Sequence, residues 1–212
     1  MKSCCESSCA VDALQDRQRG TLVRVLWINA IMFFAIAAAA FYGKSTALLS
    51  DSLDNLGDAL TYGLSLFAVS RGAGTKARVA LFKGGLIFLA ASVVIAQVIH
   101  RLLDPVLPSY EIMSLFSVAG LLANGLCLFL LWRHRADDIN MSSVYECSRN
   151  DIASNLSVIV AAAGVWAFSA GWPDIVVGAL LAGLLLRSSL RVIQGALAEL
   201  RQTQDSLTPD AR

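Results

Sequence analysis

The chain has 212 residues, of which 56% are hydrophobic and only 16% are charged, and its mean hydropathy is +0.62. A soluble globular domain usually carries about 25% charged residues, so this composition predicts a membrane protein. The net charge of +1, without any basic run interleaved with aromatic residues, excludes nucleic acid as an expected partner.

The first 20 residues are polar, carry both charge signs and lack the apolar core of a secretory signal peptide. We expect residues 1–20 to form a cytoplasmic leader, in which the thiols of Cys4, Cys5 and Cys9 stay reduced. Three cysteines within six residues favour soft-metal binding over an unstructured tail with incidental thiols.

Six apolar spans follow, and at ~1.5 Å per residue each can cross ~30 Å of hydrocarbon. All four prolines fall between spans or in the tail, as expected if the spans are helices. The sequence therefore predicts an all-α polytopic membrane protein, with a transmembrane domain over residues 21–200 and a short tail over 201–212. The predicted spans are 22–42, 45–70, 79–99, 110–132, 142–168 and 175–197.

The distribution of basic residues predicts the orientation of these spans. One side of the membrane receives only Lys44 and Arg101, whereas the side of the two termini receives most of the remaining lysines and arginines. The positive-inside rule then places both termini in the cytoplasm. We expect a multi-pass protein of the cell membrane, in a bacterium the inner membrane.

The second span carries three carboxylates, Asp51, Asp54 and Asp58, within an apolar segment. Their spacings of three and four place them on one stripe of a helix. Carboxylates inside a membrane are costly and indicate function, so a divalent metal ion, protons or both are expected to visit them. Asp51 is either a proton relay or an acid at the membrane surface.

The fifth span holds a second polar group, in which Cys147, Asp151 and Asn155 share a face by their spacing of four. Depths counted at ~1.5 Å per residue bring both groups to one level. Asp54, Asp58, Asp151 and Cys147 would then suit a tetrahedral site, and this ligand set favours Zn²⁺ or Cd²⁺ over Mg²⁺ or Ca²⁺.

Two purely structural roles remain open for the fifth span: an ion pair between Asp151 and Arg149, and a packing role for Cys147. Cys127, in the fourth span, is expected only to pack.

Residues 50–58 resemble the second helix of the cation diffusion facilitator family, whose pattern is Ala-Asp-x-x-[His/Asp]-x-x-x-Asp. The resemblance places Asp54 and Asp58 on the metal-ligand positions and Asp51 on the preceding acid. The family's fifth helix carries [His/Asp]-x-x-x-Asp, often with Ser or Asn four residues later, which Asp151 and Asn155 match. Cys147 stands where the family has His or Asp, and Asn150 is the alternative ligand.

The resemblance implies a six-helix antiporter that works as a homodimer and exchanges divalent metal ions for protons by alternating access. It implies a transported metal rather than a fixed cofactor. Family members usually end in a cytoplasmic metal-binding domain, and we expect this chain to be a short form without it.

Two other classes of function compete with transport. A membrane enzyme that modifies lipids is disfavoured because its Asp-Gly…Ala-Arg pattern is missing and no His or Ser is placed as a base or nucleophile. A metal-binding accessory protein would not need paired motifs in two spans. We therefore expect a transporter and not an enzyme.

Overall fold

A computed structural model describes the backbone of residues 4–68, 73–133 and 139–207. Within these ranges it describes all side chains except those of residues 4–18, 65, 67–68, 73–76, 139–144, 146–147 and 202–207.

Six helices account for nearly all of the described residues, among which there is no β-strand. The prediction of an all-α fold is confirmed. The helices are α1 (Cys4–Gly43), α2 (Thr46–Ala68), α3 (Ala73–Leu103), α4 (Tyr110–Trp132), α5 (Ile139–Phe168) and α6 (Trp172–Leu207).

Several helices extend beyond the apolar spans that predicted them. The first helix begins at Cys4, inside the predicted leader, and the last continues to Leu207, inside the predicted tail. Hydropathy locates only the part of a helix that lies in lipid, whereas a polar continuation without proline can stay helical in water. The side chains of Cys4, Cys5 and Cys9 lie outside the described part, so their role stays a prediction.

Five of the six helices contain a stretch long and apolar enough to cross a membrane. The exception is α2, whose 23 residues would span ~35 Å but include three aspartates. The chain is therefore a polytopic α-helical membrane protein. The five stretches are Arg19–Gly43, Ala77–Leu103, Tyr110–Trp132, Ser148–Phe168 and Trp172–Arg201.

The helix with the aspartates lies inside the bundle. It packs against α1, α3, α5 and α6, while α1 also packs on α4 and α4 on α5. Large apolar side chains such as Phe34, Phe82, Leu122 and Leu180 remain exposed on the other helices, as expected for surfaces that face lipid. The arrangement separates a polar interior on α2 from an apolar exterior.

The start of α2 is fixed by a buried carboxylate of α6. Asp174 accepts hydrogen bonds from the hydroxyls of Ser45 (2.5 Å) and Thr46 (2.6 Å) and from the backbone amides of Thr46 (2.8 Å) and Ala47 (3.0 Å). The first amides of a helix have no partner within it, and the positive end of its dipole favours a carboxylate. Ser45 completes the cap by accepting from the amide of Leu48 at 3.0 Å. Asp174 thereby sets the position of α2 against α6.

Replacing Asp174 with alanine should destabilise the protein strongly, because four buried donors lose their acceptor. Removing such a partner costs about 1–3 kcal/mol per unpaired group, and partial rearrangement should leave a net loss of about 2–4 kcal/mol. The apparent Tm in detergent should fall by roughly 5–15 °C. Asp104→Ala, at an exposed carboxylate of the α3–α4 connection, is the control. Equal melting temperatures for the two variants would contradict the capping role.

Candidate functional site

The polar stripes of α2 and α5 face each other inside the bundle. Asn155 Nδ2 donates to Asp51 Oδ1 at 3.2 Å, and further along the two helices the Tyr62 hydroxyl lies 3.5 Å from Ser148 Oγ. Between these two contacts, Asp54 lies next to Ser154 and Asp58 lies next to Asp151. Residue numbers fall on α5 as they rise on α2, so the helices are antiparallel and their acidic residues meet at one level, as the estimated depths predict.

We call Asp51, Asp54, Asp58 and Asp151 the carboxyl cluster. Asp51 is fully buried, Asp151 and Asp58 are 7% and 8% exposed, and Asp54 is partly buried. Asp51 is thus enclosed by protein, while its role as a proton relay or as an acid near the membrane surface stays a prediction. Burying carboxyl groups among apolar helices is costly unless hydrogen bonds or a cation compensate for the lost water.

The contact between Asp58 and Asp151 joins the two helices chemically. Two carboxyl groups that lie close together inside a protein favour a proton on one of them, because two negative charges repel each other. The second oxygen of Asp58 accepts from the Tyr62 hydroxyl at 2.5 Å. Lys83 of α3 donates to Thr61, one turn beyond Asp58, and interacts electrostatically with the Asp58 carboxyl. Lys83 therefore brings a positive charge close to this carboxyl pair.

Of the candidate site residues on α5, Asn155 faces the carboxyl cluster and Asn150 does not. Asn155 is buried and donates to the backbone oxygen of Asp151 at 2.8 Å as well as to Asp51, so it positions an acid of the carboxyl cluster. Asn150 is exposed and has no described contact with the cluster, which corrects its proposal as an alternative ligand. Adjacent residues of a helix point about 100° apart, and Asp151 occupies the inward direction.

The side chain of Cys147 lies outside the described part of the chain, so its role stays a prediction. The backbone places it one turn before Asp151 on α5. Among the described residues, no three His, Cys, Asp or Glu side chains come close enough to hold a metal ion. In this arrangement the acids bind hydroxyl and amide groups instead.

The sequence reasoning did not identify the hydroxyl partners of these acids. Tyr62 follows Asp58 by four residues and Ser154 follows Asp151 by three, so a helical-face argument could have included both. Ser148 precedes Asp151 by three residues, so the same argument applies to it.

Two comparisons with known proteins agree with this architecture. A family model described as "Cation efflux transmembrane domain" matches residues 22–200. The chain is also 25% identical, over 201 residues, to the "Cadmium, cobalt and zinc/H(+)-K(+) antiporter" of Bacillus subtilis (strain 168). That match covers 86% of this chain and 64% of the relative, so the chain spans less than two thirds of the relative's length.

Both matches are to membrane transport proteins, which agrees with the expectation of a transporter rather than an enzyme. The family match extends through all six helices and includes every member of the carboxyl cluster. The chain therefore belongs to the cation efflux family, also called the cation diffusion facilitator family.

Proposed function

We propose that this protein exports divalent metal cations, Zn²⁺ or Cd²⁺ above all, from the cytoplasm in exchange for protons. The observation that carries the proposal is the close approach of two buried carboxyl groups, Asp58 of α2 and Asp151 of α5, inside an apolar helix bundle. Within a membrane, facing acids on two helices are the groups expected to bind a transported cation.

Exchange for protons follows from the chemistry of these groups. A carboxyl oxygen binds either a proton or a metal ion, so metal binding releases protons and acid releases metal. A proton held by the Asp58 and Asp151 pair is the one that an arriving cation would displace. A proton gradient can then drive the metal in the opposite direction.

Asp54, Asp58 and Asp151 are the proposed ligands, with Cys147 as the fourth. Metal binding requires Asp54 and Asp58 to exchange hydrogen bonds with Ser154 and Tyr62 for bonds to the cation. Three oxygens and one sulfur suit tetrahedral Zn²⁺ or Cd²⁺, and the name of the bacterial relative includes both metals. Cys4, Cys5 and Cys9 are proposed to capture metal at the cytoplasmic surface.

We further propose that the protein works by alternating access as a homodimer in the cell membrane. The dimer rests on the family relationship, and the exposed apolar side chains of the bundle fit either lipid or a second copy. Native mass spectrometry of the protein released from nanodiscs measures this directly, and a single-chain mass alone would contradict the dimer.

Asp54→Ala should abolish metal transport driven by a pH gradient. We expect the initial rate of Zn²⁺ or Cd²⁺ uptake into proteoliposomes to fall at least tenfold, since even outer partners of metal ligands contribute 10–100-fold. The uptake should also stop when an ionophore removes the pH gradient in the wild type.

Asp104→Ala is the matched control, because it removes an exposed carboxylate outside the carboxyl cluster and should transport normally. Wild-type protein that moved none of Zn²⁺, Cd²⁺, Co²⁺ or Mn²⁺ would overturn the proposed function. Full transport by Asp54→Ala would keep the function but remove the proposed site.

Both termini should face the cytoplasm if the basic residues set the orientation. Alkaline phosphatase is active only outside the cytoplasm. A fluorescent protein that crosses the membrane unfolded does not become fluorescent, so its fluorescence reports a cytoplasmic position. Fusions at residue 212 should therefore fluoresce and lack phosphatase activity, whereas fusions after Asp104, in the α3–α4 connection, should give the reverse. The opposite pattern would invert the proposed direction of transport.

A further inference from the structure

Two helices that the proposed site does not use also carry buried polar groups. Asn29 of α1 and Asn124 and Cys127 of α4 lie on helix faces that are otherwise apolar, and all three are at most 1% exposed. We call these three residues the α1–α4 wall. An amide buried in an apolar bundle is costly unless it has a partner.

Contacts between helices place the α1–α4 wall beside the carboxyl cluster. Asn29 Nδ2 lies 3.7 Å from Cys127 Sγ, so α1 and α4 meet at these residues. Cys127 packs in the same apolar group as Tyr62, whose hydroxyl binds Asp58. Cys127 also lies within electrostatic range of Asp58 and Asp151.

The register of α4 against α5 gives the level of Asn124. The Asn155 side chain fills the space beside Gly120, and further along the rings of Trp132 and Tyr145 are 5.9 Å apart. The two helices are therefore antiparallel. Asn124 lies four residues after Gly120, and Asp151 lies four residues before Asn155, so Asn124 and Asp151 share a level.

Buried polar atoms without a partner occur on the helices that carry the carboxyl cluster and the α1–α4 wall. Among the described side chains, every buried nitrogen or oxygen atom without a hydrogen-bond partner belongs to an Asn or Asp of α1, α2, α4 or α5, apart from Arg101 Nε. Native interiors leave few such atoms, and those that exist call for an explanation. The atoms are Oδ1 of Asn29, Asn55 and Asn155, Oδ2 of Asp51 and Asp151, and both amide atoms of Asn124.

The same hydrogen bond within a helix recurs at three asparagines and explains why their side-chain oxygens have no partner. Asn29, Asn55 and Asn155 each donate through Nδ2 to the backbone oxygen four residues earlier, at 2.8–3.0 Å. That bond fixes the orientation of each amide and leaves its oxygen as an unused acceptor. A group of buried acceptors is the environment expected around a cation.

We propose that the α1–α4 wall is a further part of the cation site, in which Asn124 offers the transported metal an oxygen ligand and Cys127 a sulfur ligand. These two residues can take the place of members of the four-ligand set, so the metal stays tetrahedral. The inference rests on the proposed function, because it assumes that the carboxyl cluster receives a metal ion. The thiol makes the site selective for Zn²⁺ and Cd²⁺ over harder ions such as Mn²⁺. Asn29 positions Cys127 through the contact of its amide with the sulfur.

The test measures Cd²⁺ and Mn²⁺ binding to the full chain by equilibrium dialysis. Cys127→Ser replaces sulfur with oxygen at nearly the same size, and it should weaken Cd²⁺ binding about tenfold while changing Mn²⁺ binding little. Asn124→Leu removes the oxygen at similar volume and should weaken both metals about tenfold. The control is Ser117→Ala on the same buried face of α4, where the hydroxyl binds only the backbone of Met113.

A spectroscopic readout separates ligation from a merely structural effect. Cd²⁺-thiolate bonds absorb in the ultraviolet, and this absorption at saturating Cd²⁺ should be weaker in Cys127→Ser than in the wild type. Unchanged absorption and unchanged Cd²⁺ affinity in Cys127→Ser and Asn124→Leu would overturn the inference while leaving the proposed function intact. A wild-type protein that bound neither metal would instead overturn the proposed function and, with it, this inference.

Discussion

The structure depends on the need to keep four carboxyl groups out of lipid. Three of them lie on α2, so this helix cannot present that face to hydrocarbon and must be enclosed by the others. The helices around it can then be apolar on their outer faces, and they are the five that qualify as membrane spans by composition. The position of α2 in the bundle and the apolar character of its neighbours are two consequences of one constraint.

The bundle contains two kinds of buried carboxylate, and their hydrogen bonds distinguish them. Asp174 is surrounded by four donors from the start of α2, so its bonding capacity is largely used and its role is structural. Asp51 and Asp151 each keep an oxygen without a partner among the described residues. A fully bonded carboxylate resists change, whereas one with an open oxygen can accept a cation without first losing that bond. The same residue type therefore serves as an anchor at one end of α2 and as part of the proposed cation site further along it.

The apolar spans predicted the six helices, because the length of a hydrophobic stretch can be read directly from the local sequence. Asp54, Asp58 and Asp151 could be selected as candidate ligands in the same way, because each is an acid within such a stretch. Other features depend on contacts between helices. Ser154 becomes a partner of Asp54 only through the register of α2 against α5, and Asn124 gains its significance only beside Asp151. Asn150 was proposed wrongly because sequence proximity to Asp151 does not determine which of two neighbouring residues faces inward. The helical start at Cys4 was missed because hydropathy does not report a helix in water.

The hydroxyl groups beside the acids, those of Ser154 and Tyr62, would also help a transporter to release a bound cation. A hydrogen bond to a charged group is worth about 1.5–3 kcal/mol. In the proposed transport cycle, a cation entering the carboxyl cluster would have to replace the contacts of Asp54 with Ser154 and of Asp58 with Tyr62, together with any proton held by Asp58 and Asp151. Each of these groups stabilises the metal-free state and so lowers the net affinity for metal. A structural metal site would gain from tighter binding, but a transporter must let the ion leave on the other side. Acids with ready alternative partners fit the second requirement, since the empty site is itself a stable arrangement to which the helices can return.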